Sequence, residues 1–277
     1  MTNIEQIKGA LHEFTNAIDF KSNTIEEVLK YPAILNDILG LSHLNTYVMN
    51  VPTEDLILTR ARKNIKNGVQ FSNISQLIYP KNELVTNHGR ANTWRQSRYY
   101  CSDVPGTALL EVRPHNEWIT SIDIRISKPE LNLLAISMDS KYKISAQRIL
   151  NDADIAFNEF MSEKFVEEVP KGKEYLYLPT AILTNLLITE VDGIVYPSFA
   201  SNLKGENFVL KTEIIDNYAQ ATDFRVQESY NHKGKGKFDL KCLYRAKSIS
   251  NNGEIDWKPI KCGGHFIDET IYHRKHT

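Results

Sequence analysis

Several short runs in this chain have the residue types and spacing to do chemistry together. His88-Gly89-Arg90-Ala91-Asn92-Thr93-Trp94 comes first, followed by Tyr99-Tyr100-Cys101-Ser102, by Ala108-Leu109-Leu110-Glu111, and much later by Asp192-Gly193-Ile194-Val195-Tyr196-Pro197-Ser198. An arginine presents a planar fork of donors matched to phosphate oxygens, and a glycine beside it lets the backbone come close to a ligand. An aromatic ring can stack, a carboxylate can face a cationic centre or take a proton, and a serine hydroxyl can complete a pocket. Taken singly, the residues leave alternatives open. Arg90 is either an anion clamp or a solvated arginine in a turn, because most arginines are exposed. Glu111 closes an apolar run, so its helix face is expected to be partly buried, where a carboxylate needs a partner or a task. Arg113 and Arg95 are the ion-pair partners that the sequence offers it.

The hydrophobic pattern supplies the elements that must hold these residues. Ile4, Ile7, Leu11, Phe14 and Ile18 form the stripe of an amphipathic helix over residues 4–20. Thr24-Ile25-Glu26-Glu27 has the form of a capping box for a second helix, broken by Pro32 before Ile34–Leu39 and ended by Gly40. Residues 1–50 therefore read as a helical extension whose apolar stripe packs on the main domain. That domain is expected over residues 51–215, opening with a strand at Leu56–Ala61. Residues 63–89 read as loop, and Arg98–Cys101 as a strand. A helix capped by Ser102 or Asp103, with Pro105 in its first turn, then carries Glu111. Ile119–Ile126 alternates, placing Ile122, Ile124 and Ile126 on a core face and Ser121, Asp123 and Arg125 on a wet one. Helices are expected over 145–168 and 179–189, a buried strand at Gly193–Tyr196 with Ser198 just past its end, and another strand at Asn207–Leu210. Residues 216–277 read as a β-rich extension, with strands at Phe224–Glu228 and Phe238–Lys247 around a turn at 232–237. The fold class is α+β.

Composition narrows the function classes. The chain has 277 residues, 42% of them apolar and 24% charged, which suits a folded globular protein. Its 33 Lys and Arg against 34 Asp and Glu leave a net charge of −1, so no global field favours nucleic acid or an anionic membrane, and neither is expected as a partner. Cys101, Cys242 and Cys262 are odd in number and widely spaced, which points to neither a disulfide framework nor a zinc site; Cys101 reads as a small core residue. The eight histidines are scattered without an HExxH pattern, so no metal is expected. Rossmann-type hydride chemistry lacks its glycine fingerprint, and Gly234-Lys235-Gly236-Lys237 lacks the context of a phosphate loop. With no apolar run long enough to span a bilayer and no signal-like N-terminus, the expected location is the cytoplasm.

The order Arg60, Gly89-Arg90, Tyr100, Glu111 and Asp192–Ser198, closed by Gly205-Glu206-Asn207, resembles the RES domain family. The resemblance covers about residues 55–215 and departs from the family pattern at Ala61, in the long segment between Arg60 and Arg90, and in both extensions. It implies an ADP-ribosyltransferase-like fold, a mixed or antiparallel β core with helices around it, and an active site that takes NAD as substrate without a metal. Most members are toxins of bacterial toxin–antitoxin pairs, so a neutralising antitoxin is implied as a partner; a homo-oligomer is compatible with the sequence. Carried over by position, Glu111 and Arg90 are the catalytic pair, and Arg60, Tyr100, Ser198 and Asn207 bind substrate.

The bond between nicotinamide and ribose breaks through an oxocarbenium-like transition state, and nicotinamide leaves without needing a proton. One carboxylate suffices in principle. Glu111 would stabilise the developing positive charge and orient the nucleophile, while Arg60 and Arg90 hold the diphosphate. Tyr100 would stack on nicotinamide, and Ser198 would bond the ribose or carboxamide. Three functions follow in order: an enzyme that degrades NAD by hydrolysis or phosphorolysis, a mono-ADP-ribosyltransferase with a protein acceptor, and an inactive nucleotide-binding module.

Overall fold

The architecture is that of a computed structural model, which describes residues 4–18, 30, 33, 46–136, 152–170, 172–198, 200–201, 205–232 and 237–260. Ten strands form one mixed sheet. They are β1 Tyr47–Pro52, β2 Ile57–Lys63, β3 Tyr99–Ser102, β4 Trp118–Ile126, β5 Glu130–Ala135, β6 Gly193–Pro197, β7 Glu206–Leu210, β8 Ala219–His232, β9 Lys237–Ile249 and β10 Ile255–Pro259. Their order across the sheet is β1-β5-β6-β7-β3-β2-β4-β8-β9-β10, and every neighbouring pair is antiparallel except β5 and β6. The α-helices described are α1 Ile4–Ala17, α2 Pro105–Glu111, α3 Asp152–Val166, α4 Leu178–Leu187 and α5 Thr212–Tyr218. This is the α+β class expected.

Strand alternation divides the sheet into two covered faces. On one face Ile194, Tyr196 and Val209 pack with Ile7, Leu11, Phe14 and Ile18 of the α1 stripe and with Phe157, Phe165 and Ile182 of α3 and α4. On the other, Leu58, Tyr99, Cys101, Ile122 and Phe208 pack with Ile214 and Ile215 of α5 and with Phe71 and Leu77 of the segment after β2. A smaller cluster seats Leu109 and Leu110 of α2 against Ile119 and Leu240. No helix among the described residues is long and apolar enough to cross a membrane.

Several expectations need correction. Residues 47–52 form edge strand β1, paired along its length with β5, where a helical stretch was expected to run to residue 50. β5 and β10 were not foreseen. Ser121 is buried, its hydroxyl donating to Gln227 Oε1 of β8 at 3.2 Å, and Asp123 pairs with Arg225 at 2.6 Å, because side chains of the neighbouring strand β8 cover this part of the face; Arg125 is exposed as expected. The β-rich C-terminal part does not stand apart as a hairpin: β8 pairs with β4 from Ala219 to Glu228 and extends the main sheet. The N-cap of α2 is Val104, which offers no side-chain bond, while Asp103 instead accepts from the Glu206 N–H at 3.0 Å. The second helix expected near residues 24–40, residues 145–151 of the third, most of the 232–237 turn, Cys262 and Gly234–Lys235–Gly236 lie outside the described residues, apart from Lys30 and Ala33.

Candidate active site

The sheet opens where β2 meets β3. β2 pairs with β4 residue by residue from Ile57 to Lys63, but with β3 only at Thr59 opposite Ser102. A cavity of about 380 Å³ occupies this opening, within the size range of small-molecule sites. Thr59, Arg60 and Ala61 line it from β2, and Tyr100, Cys101 and Ser102 from β3. Gly89, Arg90, Glu111, Tyr177, Tyr196 and Asn207 complete most of the wall.

Register makes the floor. Tyr196 pairs with Asn207, Asn207 with Ser102, and Ser102 with Thr59, so one row crosses four strands on a single face. Ser102 Oγ donates to Asn207 Oδ1 at 2.7 Å, which turns the Asn207 amide nitrogen toward Glu111. α2 leaves the sheet directly after β3 and returns Glu111, its last residue, over this row. Gly205 permits that return: a Cβ there would collide with Thr107 Oγ1 on α2.

Glu111 has neither of the ion-pair partners that the sequence offered. Arg113 pairs with Glu168 at 3.0 Å and Arg95 stacks on Trp94. Two neutral donors meet on one carboxylate oxygen instead. Ser198 Oγ donates to Glu111 Oε1 at 2.6 Å, and Asn207 Nδ2 donates to the same atom at 2.6 Å. Oε2 has no such donor among the described residues, and Glu111 lines the cavity. Glu111 is exposed rather than partly buried, because the apolar face of α2 ends at Leu110 and the carboxylate extends past it into the opening.

The opposite wall is cationic. Arg60 Nε donates to the Leu77 carbonyl at 3.1 Å and Nη1 to the Tyr100 carbonyl at 3.0 Å, with the guanidinium over the Tyr99 ring. Burial pushes its pKa below the ordinary value, but an arginine remains cationic. Among the described residues no carboxylate pairs with it. Arg90 stands over the Tyr177 ring at 4.8 Å, and its Nη1 is buried without a hydrogen-bond partner. Two arginines without counter-charges among the described residues, beside one cavity, form an attractive site for an anion.

Between these walls lie three tyrosines. Tyr100 OH donates to Asn92 Oδ1 at 2.7 Å and accepts from the Ala91 N–H at 3.0 Å, and burial pushes its pKa up to about 12. The hydroxyl is thus committed to holding the Gly89–Asn92 turn, and only the ring serves the cavity. A Cβ on Gly89 would come within 2.7 Å of that hydroxyl, which explains the glycine before Arg90. Burial foremost, with the Glu111 charge next, pushes the Tyr196 phenol far up.

The structure brings Arg60, Arg90, Tyr100, Glu111 and Asn207 to one cavity. Ser198 does not line it. Fully buried just past β6, it donates to Glu111 and accepts from the Ser201 N–H at 3.2 Å. Tyr177, Tyr196 and Ser102 were missed as site residues. Their placement follows from register and helix docking, for which the sequence holds no local signal. Among the described residues no group of three or more His, Cys, Asp or Glu side chains is arranged to hold a metal. Cys101 is buried in the apolar sheet interior, where burial pushes its thiol pKa up, so it is a core residue as expected.

A family model described as the RES domain matches residues 59–227. No curated protein matches the chain.

Proposed function

The chain belongs to the RES domain family, and from that premise we propose that it degrades NAD at the opening between β2 and β3. One observation carries the reading: Glu111, with two donors on Oε1, lines the same cavity as two arginines that have no carboxylate partner among the described residues. The diphosphate of NAD lies on Arg60 and Arg90, and the nicotinamide ribose lies under Glu111. The bond from the nicotinamide nitrogen to C1′ breaks with its electron pair leaving on nicotinamide, which departs neutral. Positive charge passes to C1′ and the ring oxygen, and Glu111 Oε2 stabilises it. Water then attacks C1′ and releases its proton to solvent by way of Glu111, giving ADP-ribose; phosphate in place of water gives the 1-phosphate.

Preorganisation is the contribution of the bonded oxygen. With Ser198 and Asn207 fixing Oε1, the carboxylate need not reorient as charge develops. Tyr100 and Tyr177 offer ring faces to nicotinamide or adenine. By family, the protein is toxin-like, and a neutralising protein that covers the mouth of the opening is part of the proposal.

Nicotinamide release from NAD by purified protein tests the reading, with Glu111→Gln and Arg90→Ala of verified fold beside it. Release by wild type and loss in both variants is the expected result. The co-product identifies the acceptor: ADP-ribose for water, its 1-phosphate for phosphate, and labelled protein for a side chain. A folded wild type that neither binds NAD nor releases nicotinamide overturns it.

A further inference from the structure

Arg60 is oriented by the Leu77 carbonyl, and that carbonyl is itself held from outside the matched domain. Leu77 is buried and closes the short turn Ile74–Gln76, its N–H donating to the Ile74 carbonyl at 2.8 Å. Asn73 caps this turn, its side-chain oxygen accepting from the Ser75 N–H at 2.9 Å. The other half of the Asn73 amide faces the turn between β9 and β10. Nδ2 donates to the Asn252 carbonyl at 2.9 Å, and the Ile74 N–H donates to the Gly253 carbonyl at 2.8 Å. The Ile255 N–H donates to the Ser72 carbonyl at 2.9 Å, and Trp257 Nε1 to the Phe71 carbonyl at 2.7 Å. Apolar packing joins the same pieces, since Ile255 and Trp257 share a core with Phe71 and Leu77.

The contact is close enough to require a particular residue. Gly253 adopts φ +79°, and a Cβ there would come within 2.8 Å of Ile74 Cγ2. The hairpin thus presses on the segment as well as bonding to it.

We propose that the β9–β10 hairpin is a positioning element of the cavity: by tying residues 71–74 it holds the Leu77 carbonyl where it aims the Arg60 guanidinium into the opening. The proposal rests on the reading of Arg60 as the anion-binding wall. β9 and β10 lie beyond residue 227, the end of the family match, so substrate binding in this chain depends on a segment the matched domain does not include. Glu111 shares no bond with this strut, so the strut acts on binding and not on the chemical step.

Asn73→Asp cuts one tie while keeping the cap, because an aspartate oxygen still accepts from Ser75 but cannot donate to Asn252. Trp257→Phe removes the bond to Phe71 and keeps an aromatic ring. The two variants, single and combined, are to be compared with the full-length wild type by hydrogen exchange, by NAD kinetics and by ADP binding. In the double variant the amides of Ile74 and Leu77 exchange at least about tenfold faster. KM for NAD rises about tenfold with kcat within about twofold, and ADP affinity falls in parallel. Faster exchange with unchanged KM and ADP affinity overturns the proposal and leaves the NAD reading standing. Unchanged exchange also overturns it, since the hairpin then does not hold the segment. A wild type that neither turns over NAD nor binds ADP overturns the NAD reading itself, and the proposal with it.

Discussion

The two edges of β2 are built to opposite ends. Toward β4 every residue from Ile57 to Lys63 has a partner, and Leu58, Ile122 and Ile124 beside that seam are buried. Toward β3 the ladder stops after one pair, and the Tyr100 carbonyl, left without a strand partner on that side, accepts from the Arg60 guanidinium instead. A buried backbone carbonyl must find a donor. Supplying that donor from a cation keeps the backbone satisfied and leaves a charged side chain standing in the gap. One edge uses its polar groups for the sheet ladder, and the other turns them toward the cavity.

Glu111→Gln acts on the open edge and is the strongest way to break the contrast. It keeps the shape of the side chain and removes its charge, so kcat for nicotinamide release falls by about 10³-fold, with ADP affinity unchanged. Equal loss of ADP binding would show that the two walls are not separate in function. Ile122→Ala acts on the closed edge opposite Arg60, where Ile122 is buried. It costs about 3 kcal/mol of unfolding free energy in urea, with KM little changed in the protein that remains folded.

Arg60→Lys sharpens the account of the opening. An ammonium keeps the charge but cannot bridge the Leu77 and Tyr100 carbonyls while presenting a fork, so KM for NAD rises by about thirtyfold, or about 2 kcal/mol. Ser198→Ala is smaller and more diagnostic. Because Ser198 is buried behind Glu111 and donates to Oε1, its loss lowers kcat about tenfold and leaves KM near the wild-type value. A raised KM with kcat kept would instead return Ser198 to substrate contact.

The smallest effect is alkaline. Burial raises the Tyr100 phenol to about 12 in the folded protein, above its ordinary value of 10.0. Its contribution to stability is therefore complete below pH 10 and is lost as pH rises through about 12, because the unfolded chain releases the proton first. Urea midpoints measured across that window fall for wild type, and less steeply for Tyr100→Phe.

Much of this was legible in the chain. The alternation Ile122, Ile124, Ile126 announced a strand, Pro105 announced the first turn of α2, and the order of Arg60, Arg90, Tyr100 and Glu111 pointed to one site. Other features were not. Ser121 alternates like a surface residue, yet it is buried, bonded to the buried Gln227 of the neighbouring strand β8, while Arg125 on the same face stays exposed. Glu111 follows an apolar run like a buried residue, yet it is exposed, because the run ends where the helix ends. Tyr177 gave no sign of meeting Arg90, since nothing local links a helix start to a turn far upstream.

Local pattern is a property of neighbours in the chain, so the sequence by itself determined most of the strands and helices, β1, β5 and β10 excepted, and which residue types are available for chemistry. Pairing is a property of neighbours in space. Only the tertiary structure decided that Tyr196, Asn207, Ser102 and Thr59 fall in one row, that β2 and β3 part after a single pair, and that Ser198 stands behind Glu111. The physical reason is that register is set by the summed burial of all ten strands at once, and a ladder left unformed is written in no single segment of the chain.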